Sequence, residues 1–226
     1  QAIIGSGSGQ GGGIYNDAGT FQVNFNRIVE NSPEDLYNSI EESQLGLFAA
    51  GEGSQYNAQY NWWGSNSDPY LRGRIVGEQV AYDPWMVMHF TANPATTAGS
   101  TSTLTADLRY DNQGNFHDPV NGHIPDNTMV TFTTNLGNVG SKSVTVPLVN
   151  GVALAILRAD EGTGLAWLTA RLDSELLTLA MTINPPVASA ATTKTIGMQE
   201  TGQPVLPLIL AGLMVLGGII LPRRIK

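Results

Sequence analysis

Turn formers punctuate this chain densely enough to rule out a helical bundle. DNQGN, VNGH, VNG and EGTG all fall between residues 111 and 164, and each places Gly beside residues that accept a turning backbone. Between them apolar and polar residues alternate, the two-residue period of a strand with one buried face. In STSTLTADLRYD the inward set is Leu104, Ala106 and Leu108; in NTMVTFTTNLG it is Val130 and Phe132. NGVALAILRAD and LAWLTARLDSELLTLAMTINP supply further strands. About seven short strands in roughly a hundred residues predict an antiparallel β-sandwich of immunoglobulin-like build over residues 81–184. With no cysteine in the chain, no disulfide can tie the sheets together. Trp167 and the Leu and Ala faces are therefore expected to fill the core.

Residues 1–80 have a different texture. GGGIYNDAGTFQVNFNRIVENSPEDLYNS gives short apolar beats between Gly and Asn turns, with Val23, Phe25 and Ile28 as inward candidates. Beats without hairpin-length alternation suit the coils of a parallel β-helix, each of about 20 to 25 residues, so that roughly three coils fit. An inward Asn at such a turn hydrogen-bonds to its equivalents above and below, which accounts for many asparagines without catalysis. The acidic stretch PEDLYNSIEESQ reads as a solvated loop between coils.

NWWGSNSDP, residues 61 to 69, sets two tryptophans side by side. The end of a solenoid exposes an unpaired edge and an open apolar interior, which must be covered to prevent aggregation. Asn61, Trp62 and Trp63 are expected to form that cap, one indole lying over the interior while GSNSDP turns the chain away. A carbohydrate-stacking platform is the competing reading. It needs two coplanar exposed rings, and adjacent residues on a strand point to opposite faces.

Residues 185–204, beginning PPVASAATTKT, read as a Pro, Ala and Thr stalk. VLPLILAGLMVLGGIIL, residues 205–221, follows without a single charge. As a helix those residues span roughly 25 Å, near the thickness of a bilayer core, and predict a transmembrane helix. Arg223, Arg224 and Lys226 lie in the basic tail, residues 222–226, and basic residues stay on the cytoplasmic side. Everything before Pro204 is then expected outside the cell, with lipid as partner of residues 205–221. QAIIGSGSGQGGG carries no export signal. The chain is accordingly expected to be the C-terminal piece of a longer protein.

Charge and side-chain chemistry exclude several classes. Up to Glu200 there are 19 acidic residues against eight basic ones, the opposite of the basic face that nucleic acid requires. His117 with Asp118, and His123 with Asp126, share one long loop but match no metal-ligand spacing. GSGSG, residues 5 to 9, fits a serine-nucleophile pattern in letters only, without the strand-to-helix elbow it needs. No cofactor is expected. β-Helices do host polysaccharide lyases and hydrolases with clustered carboxylates, but Glu30, Glu34, Asp35, Glu41 and Glu42 fall in the loop-like stretch rather than at alternate strand positions.

GGGIYN, NWWGSNSDP, PWMVMHFTANP, GHIPDNTMVTFTT, PLVNGVA and INP together resemble the C-terminal regions of large adhesin-like surface proteins of methanogenic archaea, over nearly the whole chain. The C-terminal half is similar to the bacterial Ig-like domains of invasin and intimin through DNQG, the Val130-x-Phe132 pair and NGVA. The resemblance implies a mainly β chain: a right-handed parallel β-helix fragment, an Ig-like sandwich and one C-terminal transmembrane helix. It implies a non-catalytic surface stalk and anchor that displays a distal region toward a surface glycan or another cell. A structural subunit of a surface layer or filament, and a β-helix polysaccharide-active enzyme, stand as alternatives. MQETG ahead of the apolar run also looks like a sorting signal cleaved between Thr201 and Gly202, although Met-Gln stands where such signals carry Leu-Pro.

Overall fold

The structure is a computed structural model that describes residues 12–16, 21–38, 56–77 and 80–187. The described residues are mainly β and contain no α-helix, only one short 3-10 turn at Pro119–Asn121. No helix among them is long and apolar enough to cross a membrane. The proposed span 205–221, Thr201, Gly202, Arg223, Arg224 and Lys226 lie outside the described residues, as does GSGSG.

The first six strands are short and pair in parallel. β1 (Ile14–Asn16), β3 (Leu36–Asn38) and β5 (Ile75–Val76) form one sheet, and β2 (Phe21–Gln22), β4 (Tyr56–Asn57) and β6 (Val80–Ala81) a second. The chain thus visits the two sheets alternately. Ile14 pairs with Leu36 and Leu36 with Ile75, while Phe21 pairs with Tyr56 and Tyr56 with Val80. A third line of contact runs beside them: Arg27 bridges Trp62 in parallel, and Met86 N–H donates to Asn61 O at 3.0 Å. Parallel registers put like residues over like. Asn16 Nδ2 donates to Asn38 Oδ1 at 2.8 Å and the Tyr15 and Tyr37 rings stack 5.7 Å apart, while Asn24, two residues past the Gln22–Asn57 pair, reaches diagonally to Asn57 Oδ1 at 2.9 Å.

PEDLYN is not the solvated loop expected. Leu36–Asn38 is the middle strand of its sheet, Leu36 is buried, and Asp35 is only 1% exposed. Charge density misled the reading because Asp35 has a built-in counter-ion: Arg74 Nε lies 2.7 Å from its Oδ2, and Asn31 donates to Oδ1. A carboxylate held this way can be buried where an unpaired one cannot.

From Met86 the architecture becomes an antiparallel sandwich. β7 (Met86–Thr91), β9 (Thr101–Asp111) and β12 (Val152–Arg158) form one sheet in the order β12-β9-β7. β8 (Ala95–Thr97), β10 (Met129–Thr134), β11 (Ser143–Pro147), β13 (Gly164–Leu172) and β14 (Glu175–Asn184) form the other, in the order β11-β10-β13-β14-β8. The chain switches sheets between β7 and β8, so that β8 joins β14 in parallel, with Thr182 opposite Ala95. This strand order, with its crossovers between two packed sheets, is an immunoglobulin-like sandwich.

The core is where alternation places it. Leu104, Ala106, Leu108, Val130 and Phe132 are fully buried. Trp167 is the exception to the expectation: it is 51% exposed on the outer face of the five-stranded sheet. Ala166, Leu168, Ala170 and Leu172 carry the inward phase of β13, and a residue one position out of phase must face the other way whatever its size. The indole that does lie in the sandwich core is Trp62.

Candidate functional site

Asn61, Trp62 and Trp63 lie in an extended segment where neighbouring side chains point to opposite faces. Trp62, fully buried, packs with Met86, Met88, Leu168 and Leu172 in the sandwich core. Trp63, 1% exposed, packs with Ile28, Leu36, Ala58, Ile75 and Trp85 inside the parallel turns. Two consecutive residues therefore belong to two different cores. The expectation set them after the last coil; β5 and β6 pair in register beyond them. They precede both of these strands, where the parallel turns abut the sandwich.

Asn61 fixes the backbone from which both indoles depart. It is fully buried, its Nδ2 donates to Val23 O and Ala58 O at 2.7 Å each, and its Oδ1 accepts from Asn26 N–H at 2.8 Å. Only a primary amide supplies two donors and an acceptor in that arrangement. Gly64 then turns the chain at φ 84°, a backbone region that side chains other than glycine rarely adopt.

The GSNS residues dock on the β13–β14 turn, more than a hundred residues downstream. Trp62 Nε1 donates to Asp173 Oδ2 at 2.7 Å, and Arg27 Nε to the same oxygen at 3.0 Å, with its Nη2 against Oδ1. The hydrogen bond to Asp173 holds the Arg27 guanidinium above its ordinary pKa, although partial burial opposes the shift. Ser174 Oγ donates to Gly64 O at 2.6 Å, and Glu175 Oε2 accepts from Ser65 Oγ at 2.8 Å and from Asn66 N–H at 2.9 Å. The Asn66 side chain imitates a strand residue against β7: its Nδ2 donates to Met88 O and its Oδ1 accepts from Met88 N–H.

A second contact closes the opposite side. The Phe25 ring stacks on Tyr60 at 5.4 Å, and Tyr60 meets the His117 ring at 4.7 Å. Gly122 passes so close that a Cβ there would lie 2.4 Å from Phe25. His117 Nε2 in turn sits 2.9 Å from Asp111 Oδ2, and the Asp111 carboxylate also accepts from the backbone N–H groups of Gln113 and Asn115. Burial pushes the Asp111 carboxyl up, but the bonds from His117 and Asn115 outweigh it and bring its pKa below the ordinary value.

Among the described residues no group of three or more His, Asp or Glu side chains converges as a metal site requires. Asp118 caps the 3-10 turn at Val120 N–H, and His123 Nδ1 lies 3.6 Å from Asp126. Of the five carboxylates weighed for glycan chemistry, Glu41 and Glu42 lie outside the described residues, and Asp35 is committed to Arg74. A cleft of about 150 Å³ beside Trp63 is lined by Glu30, Asp35, Arg72, Arg74 and Asp173. Arg72 spans it by donating to Trp63 O at 3.0 Å.

Sequence reasoning missed Asp173, Glu175 and Asn66. LDSE reads only as a hairpin turn, and no local pattern pairs it with a stretch 110 residues earlier.

No protein-family model and no curated protein matches the chain. Solved structures give slight likenesses. The D0-D1 domain of intimin aligns at 16% identity and TM-score 0.33, covering 46% of this chain and 51% of that one. The C-terminal 282-residue fragment of intimin, solved with the intimin-binding domain of the translocated intimin receptor, aligns at 21% and 0.30, covering 44% and 32%. Domains 4 and 5 of the S-layer protein SbsC align at 13% and 0.27, covering 44% and 53%. The chain thus spans about half or less of each. Likenesses of this size carry no weight for function, and the immunoglobulin-like assignment stands on the strand order of the sandwich itself.

Proposed function

We propose that this chain is a non-catalytic stalk and membrane anchor of a cell-surface, adhesin-like protein. On this reading the parallel turns are the last coils of a right-handed parallel β-helix, and residues 81–184 are a spacer. Residues 185–204 are a stalk, and residues 205–221 cross the membrane with Arg223, Arg224 and Lys226 inside. Asn61, Trp62 and Trp63 close the solenoid by a shared plug: Trp63 fills its interior while Trp62 enters the next domain. The observation that carries the proposal is the double burial of these adjacent indoles together with the Trp62–Asp173 bond. A display stalk must transmit orientation, and modules joined by a flexible linker do not. Here adjacent residues buried in two neighbouring cores replace the linker.

Surface display is tested on intact cells carrying the chain. Added protease should cut the sandwich and the stalk while leaving the basic tail, and carbonate washing should leave the protein in the membrane. A sandwich untouched by protease, or a protein released by carbonate, would contradict the proposal. Mass spectrometry of the cell-derived C-terminus separates retention from processing: an intact Lys226 excludes cleavage between Thr201 and Gly202.

A further inference from the structure

Trp167 poses a question that the stalk reading does not absorb. A half-exposed indole on a regular sheet is costly to leave in water, and exposed apolar surface of this kind marks contact sites. Its cross-strand partner is Ala180, too small to cover the ring, so the indole presents an open face. Around it threonine hydroxyls alternate with the exposed side chains of Met129, Leu165 and Leu176. Thr133 Oγ1 lies 2.6 Å from Thr169 Oγ1, and Thr131 Oγ1 lies 2.9 Å from Thr145 Oγ1. Thr178 pairs with Thr169 in the next strand.

Three properties of this face select its occupant. First, it is nearly uncharged: of the outward positions on β10, β11, β13 and β14 between Met129 and Asn184, only Arg171 bears a full charge. In a chain of net charge −8, that neutrality argues against an ionic partner. Second, the hydroxyls are pre-positioned. A Thr–Thr pair uses one donor and one acceptor, which leaves a donor and further acceptors directed outward, and the β-branched side chains hold their rotamers. An apolar protein face laid on this lattice would bury those groups unsatisfied. Third, the spacing is regular, about 6.8 Å along a strand and about 4.8 Å between strands, comparable to the size of one sugar ring. A ligand with apolar C–H faces and equatorial hydroxyls fits all three.

We propose that the outer face of the β11-β10-β13-β14-β8 sheet is a binding surface for neutral polysaccharide, with Trp167 stacking on one sugar ring and the Thr133–Thr169 pair hydrogen-bonding to the next. The site lies on the exposed face of β13 and shares no residue with the Trp62 junction. It would place a weak, repeatable glycan contact along the flank of the stalk rather than at its distal end, and it stands or falls independently of membrane anchoring.

The test uses the full chain with cello-oligosaccharides, laminarin and mannan as neutral probes and polygalacturonate as the charged control. Trp62, Trp63 and Trp85 are buried while Trp167 is not, so the quencher-accessible part of the indole emission reports on this face. The expected result is retardation in affinity electrophoresis by at least one neutral probe, with that probe shielding the accessible emission from quenching. Trp167→Ala should weaken binding roughly tenfold or more, and Thr169→Val should weaken it measurably at an unchanged unfolding midpoint. The proposal is overturned if no neutral probe retards the protein or if Trp167→Ala binds as well as the parent. It is also overturned if the only change in that variant is loss of self-association, which would make the face an interface between copies of this chain.

Discussion

Trp62 and Asp173, 111 residues apart, are joined by a 2.7 Å hydrogen bond from the indole Nε1 to the carboxylate, and Arg27 closes the same carboxylate from the parallel turns. This one turn residue of the sandwich receives donors from two paired residues of the parallel turns. Its left-handed backbone, φ 53°, is one that Asp tolerates better than most residues, so the aspartate suits the tight turn as well as the contact.

Trp62→Ala should destabilise the protein by about 3–5 kcal/mol, the range for emptying a large aromatic site in a core. Trp62→Phe keeps most of the ring but removes the donor and should cost about 1–3 kcal/mol. Urea titration followed by circular dichroism gives both values. Equal stability of the parent and Trp62→Phe would show that the bond to Asp173 contributes nothing.

Asn61→Asp is nearly isosteric, yet it should be more damaging than its size suggests. It sets a carboxylate oxygen against Val23 O and Ala58 O, where Nδ2 donates now. We expect a loss of about 2 kcal/mol or more at neutral pH, partly recovered in acid as the new carboxyl protonates. A variant as stable as the parent at neutral pH would contradict the assigned bonding.

Asp111 makes the junction acid-sensitive. Because its folded pKa lies below the ordinary carboxylate value, its contribution is fully present above about pH 4 and is lost as pH falls through the lower folded value. Asp111→Asn should therefore lower stability at neutral pH, and the gap to the parent should narrow in strong acid. A gap that stays constant down to about pH 2 would show that the carboxylate is not stabilised by folding.

Trp167→Thr should change stability by less than about 0.5 kcal/mol, as expected for a surface position. Phe132→Ala, in the same sheet but facing inward, should cost about 3–5 kcal/mol. Comparable losses from the two variants would return Trp167 to the core.

The sandwich was legible because burial on one face imposes a period of two, and that period survives in the letters of β9, β10 and β12. Trp167 was misplaced because residue size was allowed to override phase. The stacking of Asn16 over Asn38 followed from parallel pairing. Two features were hidden for a common reason. The Asp35–Arg74 pair spans 39 residues and the Trp62–Asp173 bond 111, and long-range polar partners leave no periodic trace in a sequence. Only the oddity of NWW flagged the junction.

Native-state hydrogen exchange on the full chain tests the coupling of the two cores most directly. If Trp62 and Asp173 bind the parallel turns to the sandwich, the slowest amides of Tyr56–Trp63 and of β13 should open at the same free energy, and Trp62→Ala should split them into two. Parallel turns that already exchange at a lower free energy than the sandwich in the parent protein would contradict a rigid stalk built on this junction.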